Sequence, residues 1–142
     1  MSPPPAGIVA AVEAAGPPSM TVSFPATATS VGEVRHALVA FAEAAGATTE
    51  KIEAIRVVAS EAATNVVQHA YNGVPGRIHV AAGADPNSIW VVVADRGCGL
   101  VAGDDTAGLG LGLALMVGFS DAMTITSPPA GGLEVQLRFD LN

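Results

Sequence analysis

Three groups of residues in this chain have types and spacings that could do chemistry. Glu61 and Asn65 are four positions apart, so on a helix they share one face. A carboxylate there can take a proton from an attacking hydroxyl or water. An amide oxygen one turn away can complete the shell of a Mg²⁺ ion, which takes few protein ligands and keeps waters or phosphates. Asp95-Arg96-Gly97-Cys98-Gly99 follows an apolar run. An aspartate at a strand end can accept a hydrogen bond from an amino group such as that of adenine, and the two glycines let a ligand come close. Gly108-Leu109-Gly110-Leu111-Gly112 precedes a further apolar run. Backbone N–H groups in a glycine-rich turn at a helix N-terminus can hold phosphate. No Gly-Lys-Ser/Thr follows, so this is not a Walker loop, and no strand leads into it as a dinucleotide fingerprint requires. Singly, each group has a plain alternative: a solvated helix face, an ordinary Asp–Gly loop, a linker.

These residues need elements to carry them. Thr21–Phe24 reads as a short strand ended by Pro25. The spacing of Val31, Val34, Leu38, Phe41 and Ala45 predicts a helix from Ser30 to Ala45. Ser30 and Glu33 have capping-box spacing, and Gly46 suits the position after the helix end. A second helix, Glu50 to Ala70, carries Glu61 and Asn65 and can be capped by Thr48 or Thr49. Its buried stripe is Ile52, Ile55, Ala59, Ala62, Val66 and His69, and His69 reads as packing or hydrogen-bonding at the helix end rather than catalysing. Arg77–Ala81 and Ile89–Ala94 read as two strands joined by a turn at Pro86-Asn87. A loop then runs from Asp95 to Gly112, a helix covers Leu113–Phe119, and Met123–Thr126 and Leu133–Phe139 are strands. Strands joined by short turns pair antiparallel, and helices grouped on one face give a two-layer α/β sandwich, an α+β fold with a mixed, mostly antiparallel sheet.

Composition sets the frame. The 142 residues suffice for one domain, over 21–142, after a Pro- and Ala-rich tail over 1–20. Six basic against thirteen acidic residues give a net charge of −7. That balance argues against direct nucleic-acid binding and against docking on an anionic membrane. Cys98 is the single cysteine, which excludes an internal disulfide and a Cys-based zinc site. No run reaches the roughly 18 apolar residues of a transmembrane helix, and no basic segment opens a secretory signal, so a cytoplasmic domain is expected.

The three groups in this order resemble the GHKL (Bergerat) ATP-binding fold. Ser60-Glu61-Ala62-Ala63-Thr64-Asn65-Val66-Val67-Gln68-His69-Ala70-Tyr71 is similar to the N-box of the anti-sigma serine/threonine kinases of the RsbW and SpoIIAB type, and the resemblance covers about Thr21 to Asn142. It implies ATP and Mg²⁺ as cofactors. It implies Glu61 as general base toward a serine or threonine on a protein substrate, Asn65 as Mg²⁺ and nucleotide ligand, and Asp95 as the adenine-reading carboxylate. Gly97 and Gly99 would shape that pocket, and Gly110 and Gly112, with Gly108 as an extra, would lie on the phosphate side. Arg35 matches an arginine used for partner contact. The implied function is an anti-sigma factor that sequesters a sigma factor and phosphorylates an anti-anti-sigma (STAS-domain) partner, as a homodimer.

Two features depart from the family pattern. Between Leu100 and Gly108 lie only Val101 to Ala107, shorter than the usual nucleotide lid and without Lys or Arg. Gly132-Leu133 stands where the family often has Gly-Thr. Phosphoryl transfer relies on cations around the moving group, so a second reading stays open: a module that binds nucleotide, or has lost it, and only sequesters a protein. A third, the catalytic domain of a sensor histidine kinase acting in trans, ranks last, because no dimerisation helix pair with its histidine precedes the domain.

Overall fold

The computed structural model describes residues 17–98 and 106–141. Along the chain run β1 (Met20–Pro25), α1 (Ala28–Ala44), α2 (Thr49–Asn65, continued by a π-helical turn Val66–Ala70), β2 (Arg77–Ala84), β3 (Ser88–Asp95), α3 (Thr106–Phe119), β4 (Ala122–Thr126) and β5 (Leu133–Asp140). The strands form one sheet in the order β1-β2-β3-β5-β4. A mixed sheet is expected from the sequence; all four pairings among the described residues are antiparallel. The register shows why. Pro25 at the end of β1 sits opposite Arg77 at the start of β2, and Asp95 at the end of β3 opposite Leu133 at the start of β5. The α1–α2 excursion leaves and re-enters the sheet at this end, whereas α3 carries the chain from Asp95 across to the opposite end, where Ala122 opens β4 opposite Arg138, and β4 brings it back to Leu133. The end with Asp95 and Leu133 carries the candidate site.

The helices lie on one face of the sheet. Alternation along the strands sends Ile78, Val80, Ile89, Val91, Leu137 and Phe139 to that face, where they pack with Val34, Leu38, Ile55, Val58 and Met116. On the opposite face Ala81, Trp90, Val92 and Ala94 form a smaller apolar cluster. No helix among the described residues is long and apolar enough to cross a membrane.

Several boundaries differ from expectation. The first helix starts at Ala28 with Thr27 as N-cap, so Ser30 is not the cap; it is buried in the first turn with its hydroxyl 3.2 Å from that of Thr27. The chain turns at once after β1, Thr27 N–H donating to Pro25 O at 2.8 Å, and Ser30 N–H already donates to Thr27 O at 3.0 Å. The helix end is as expected: Ala47 N–H donates to Ala42 O (3.0 Å) and Gly46 N–H to Glu43 O (3.1 Å), a Schellman closure. Thr48 caps α2, its hydroxyl accepting from Lys51 N at 3.2 Å. β2 runs on to Ala84, and Asp85 makes the turn, its Oδ1 accepting from the N–H groups of Asn87 and Ser88. The largest difference is at α3, which is helical from Thr106 rather than from Leu113. Glycine costs about 1 kcal/mol against alanine in a helix, and three of them predict a loop. Packing overrides that preference, because α3 lies directly on α2.

Candidate nucleotide site

The last turns of α2 do not stay α-helical. Asn65 ends the α-helix and Val66–Ala70 form a π turn, a local widening found mostly at functional sites. Its end is tied to the loop after β3. Cys98 N–H donates to Ala70 O (2.8 Å), and Cys98 Sγ donates to His69 O (3.3 Å). Tyr71 bridges further: its hydroxyl donates to Arg77 O at 2.6 Å and accepts from Arg96 N at 2.9 Å. Gly97 has no room for a side chain, since a Cβ there would overlap the Ala70 carbonyl. Gly132, at φ +93°, is pressed against the Asp95 carbonyl in the same way.

Asp95 closes β3 inside this frame. It is buried, with Oδ1 accepting from Gly97 N at 2.8 Å. Desolvation pushes its carboxyl above the ordinary carboxylate range, while hydrogen bonds from the backbone N–H groups of Gly97 and Leu133 pull partly back. A desolvated carboxylate is a strong acceptor for an amino group brought to it.

Asp95 forms one wall of a cavity of about 30 Å³. Asn65 and His69 come from α2 and its π turn, Leu133 and Val135 from β5, and Leu113 from α3. His69 Nε2 is buried with no hydrogen-bond partner among the described residues, an arrangement that costs about 1–3 kcal/mol. That volume holds a water or two.

At the other end of Asn65 the carboxylate appears. A Cβ on Gly112 would lie 3.1 Å from Asn65 Oδ1 and 3.2 Å from Glu61 Oε2, so both side chains converge on one spot of α3. Arg35 stands beside them, half-buried, with Nη1 donating to Ser60 Oγ at 3.3 Å. Among the described residues no group of three or more His, Cys, Asp and Glu could hold a metal. The oxygen donors of Asn65 and Glu61 at this spot suit an ion that takes few protein ligands and keeps waters or phosphates, as Mg²⁺ does. The cavity thus joins a desolvated carboxyl, Asp95, to apolar side chains, the imidazole of His69 and the amide of Asn65.

The residues singled out in the sequence thus fall into two clusters at the ends of one cavity wall, Asp95 with Gly97 and Glu61 with Asn65 and Gly112. Gly108 and Gly110 lie within the first turns of α3, not in a turn before it, and Gly99 lies outside the described residues. Two residues were not picked out for the site. His69 lies four after Asn65 and eight after Glu61, a spacing that could have placed it on their face. Tyr71 left no signal, because its partner Arg96 is 25 residues away.

An antiparallel sheet with helices on one face, and a cavity between helix and strand ends walled by an acid and an amide, define the class of two-layer ATPase-like domains. The chain belongs to the family described as histidine kinase-like ATPase domain, which matches residues 24–139; this is the GHKL fold its motifs resemble. Among curated proteins it is similar to the serine-protein kinase RsbW of Bacillus velezensis, 40% identical over 77 residues, 54% of this chain and 48% of the relative. The RsbW of Bacillus thuringiensis is 36% identical over 76 residues, with the same coverage. The chain spans about half the length of the curated relatives it matches. Among solved structures it resembles the crystal structure of RsbU and RsbW domains from Mycobacterium tuberculosis, with a TM-score of 0.66, 26% identity, and coverage of 88% of this chain and 33% of that one.

Proposed function

We propose that this domain binds ATP with Mg²⁺ and transfers the γ-phosphoryl group to a serine or threonine hydroxyl of a protein partner. The observation that carries the reading is the convergence of Glu61 and Asn65 at Gly112, one end of a wall whose other end is the desolvated Asp95. Relatives named serine-protein kinase support it. In this reading Asp95 accepts from the adenine amino group, and Gly97 shapes the base pocket. Asn65 offers its amide oxygen to Mg²⁺. Gly108, Gly110 and Gly112 allow phosphates to approach α3. Glu61 takes the proton of the attacking hydroxyl as its oxygen bonds to the γ-phosphorus and the bond to the β-phosphate oxygen breaks, releasing ADP. Mg²⁺ supplies charge stabilisation on the phosphates. Arg35, next to Ser60, puts a docked partner beside Glu61. The partners we propose are a STAS-domain anti-anti-sigma protein as substrate and a sigma factor that is sequestered, with the domain acting as a homodimer in the cytoplasm.

The test is transfer of labelled phosphate from ATP to a purified STAS-domain partner. Transfer should be acid-stable and fall about a hundredfold or more in Glu61→Ala, the usual contribution of a general base. Full-rate transfer in that variant removes Glu61 from the role. One observation favours a second reading, sequestration without transfer: no Lys or Arg among the described residues lines the cavity. Tight partner binding that ignores ATP, with no phosphate moved, is its signature.

A further inference from the structure

We infer that residues 1–16 of this chain lie across the outer face of the sheet and cover the strip formed by Ala81, Trp90, Val92 and Ala94. The inference is independent of the nucleotide reading.

The starting observation is burial where no layer stands. The helices pack on the other face of the sheet, and the apolar cluster of the outer face consists of strand residues alone. Ala81 and Val92 are nevertheless fully buried, and Ala94 and Trp90 are only 3% and 7% exposed. Glu134, opposite Ala94 in the register, is buried as well. The rim is open: Thr21, Arg77, Thr124, Thr126 and Arg138 are exposed. Trp90 is the clearest case. Its indole lies on Gly83, where a Cβ would come 2.5 Å from the ring, and that contact covers one face. With nothing above the sheet the other face would meet water, and so large a side chain is rarely buried this completely.

The cover belongs to the same chain, since the strip is buried in a single copy. It therefore comes from outside residues 17–98 and 106–141. Residues 99–105 follow Cys98, bonded to Ala70 on the helix side, and lead to Thr106, where α3 begins. Seven residues joining those points do not also cross to Trp90 at the opposite end of the sheet. Residues 1–16 are placed to do so. Ser19 N–H donates to Ala82 O at 2.9 Å, so this segment departs from beside Gly83, at the end of the sheet where Trp90 stands. From β1 to β3 is two strand spacings, about 10 Å, which a few residues span at about 3.3 Å each.

The chemistry matches. Ile8-Val9-Ala10-Ala11-Val12 is an unbroken apolar run, and Glu13 is the single charged side chain within residues 1–16. Small and β-branched side chains suit a shallow strip floored by two alanines and a valine, and apolar burial drives such a contact. Left bare, the strip around Trp90 would be an apolar patch of the kind that draws other molecules.

Fluorescence of the full chain tests this, because Trp90 is the single tryptophan. In Ile8→Asp/Val12→Asp its emission should move to the red and its quenching by acrylamide should rise several-fold, with the circular dichroism of the folded chain kept. Emission and quenching equal to wild type overturn the inference. A nitroxide on Ala11→Cys in a Cys98→Ser chain decides if the double variant does not fold: it should dim Trp90 at every protein concentration. No dimming overturns the inference. Dimming that disappears on dilution overturns it too, because the cover would then be the segment of a second copy.

Discussion

The two ends of the candidate site are built differently. At the base end backbone lies on backbone: Gly97 against the Ala70 carbonyl, Gly132 against the Asp95 carbonyl, Cys98 N–H on Ala70 O, and Tyr71 joining two loops. Apart from the Tyr71 bridge, none of these contacts can yield without moving main chain. At the phosphate end Glu61 and Asn65, both half-buried, meet α3 only through the tips of their side chains. That helix has Gly108, Gly110, Gly112 and Gly118 among its 14 residues, each about 1 kcal/mol worse than alanine in a helix. In the proposed reading, base recognition would be set in a rigid frame, and the chemistry left to a segment that is cheap to rearrange.

The contrast breaks first, if it is wrong, at Gly97. Gly97→Ala forces a methyl group into the Ala70 carbonyl, and relief requires the π turn or the loop after β3 to shift. Overpacking of this kind costs about 3 kcal/mol. Urea unfolding should show that loss, and ADP binding should disappear with it. A wild-type midpoint would show that the base end is soft.

Asp95→Asn sharpens the contrast by separating binding from stability. Loss of an acceptor for the adenine amino group should weaken ADP binding by about thirtyfold, the value of a charged hydrogen bond. The fold should respond in the opposite direction. Burial raises the Asp95 pKa in the folded state, so the folded chain holds that proton more tightly than the unfolded one. The resulting stabilisation is complete below the ordinary carboxylate pKa and is lost as pH rises through the folded value. Asparagine has no such loss and still accepts from Gly97 N. The stability advantage of Asp95→Asn over wild type should therefore grow between about pH 4 and pH 7, read as a difference in urea midpoints. An advantage that shrinks with pH would mean that the carboxylate is better solvated than its place at the end of β3 implies.

Much of this was legible in the residues. Alternation in Leu133, Val135, Leu137 and Phe139, and the continuous apolar run into Asp95, placed β5 and β3 correctly, since strand pattern follows burial directly. Glu61 and Asn65 fell on the predicted helix for the same reason. The failures share a cause, which is that tertiary contact overrode a local rule. A glycine-rich stretch became helix because Gly112 lets α3 reach Glu61 and Asn65. The capping box at Ser30 lost to Thr27 because the chain turns tightly after Pro25 and Ser30 N–H is already bonded to Thr27 O. His69, counted in the packing stripe, turned out to carry an unpartnered nitrogen facing the cavity. The 3.6-residue period could not anticipate the π turn on which it sits.

The smallest expected effect is at Gly112, and it tests the other half of the contrast. A methyl group there would lie 3.1 Å from Asn65 Oδ1, 3.2 Å from Asn65 Nδ2 and 3.2 Å from Glu61 Oε2. All three atoms end flexible side chains, which can give by a few tenths of an ångström. Against that mild crowding stands the helix-propensity gain of alanine over glycine, about 1 kcal/mol. Gly112→Ala should therefore leave the urea midpoint unchanged or raise it slightly, by under about 1 kcal/mol. The displaced side chains are the ones assigned to Mg²⁺ and to the proton, so the strengthening of ADP binding by Mg²⁺ should shrink while metal-free binding holds. A destabilisation comparable to that of Gly97→Ala would mean that α3 is locked onto α2 as firmly as the base loop is locked onto the π turn, and the division between a rigid reader and a movable catalytic face would not stand.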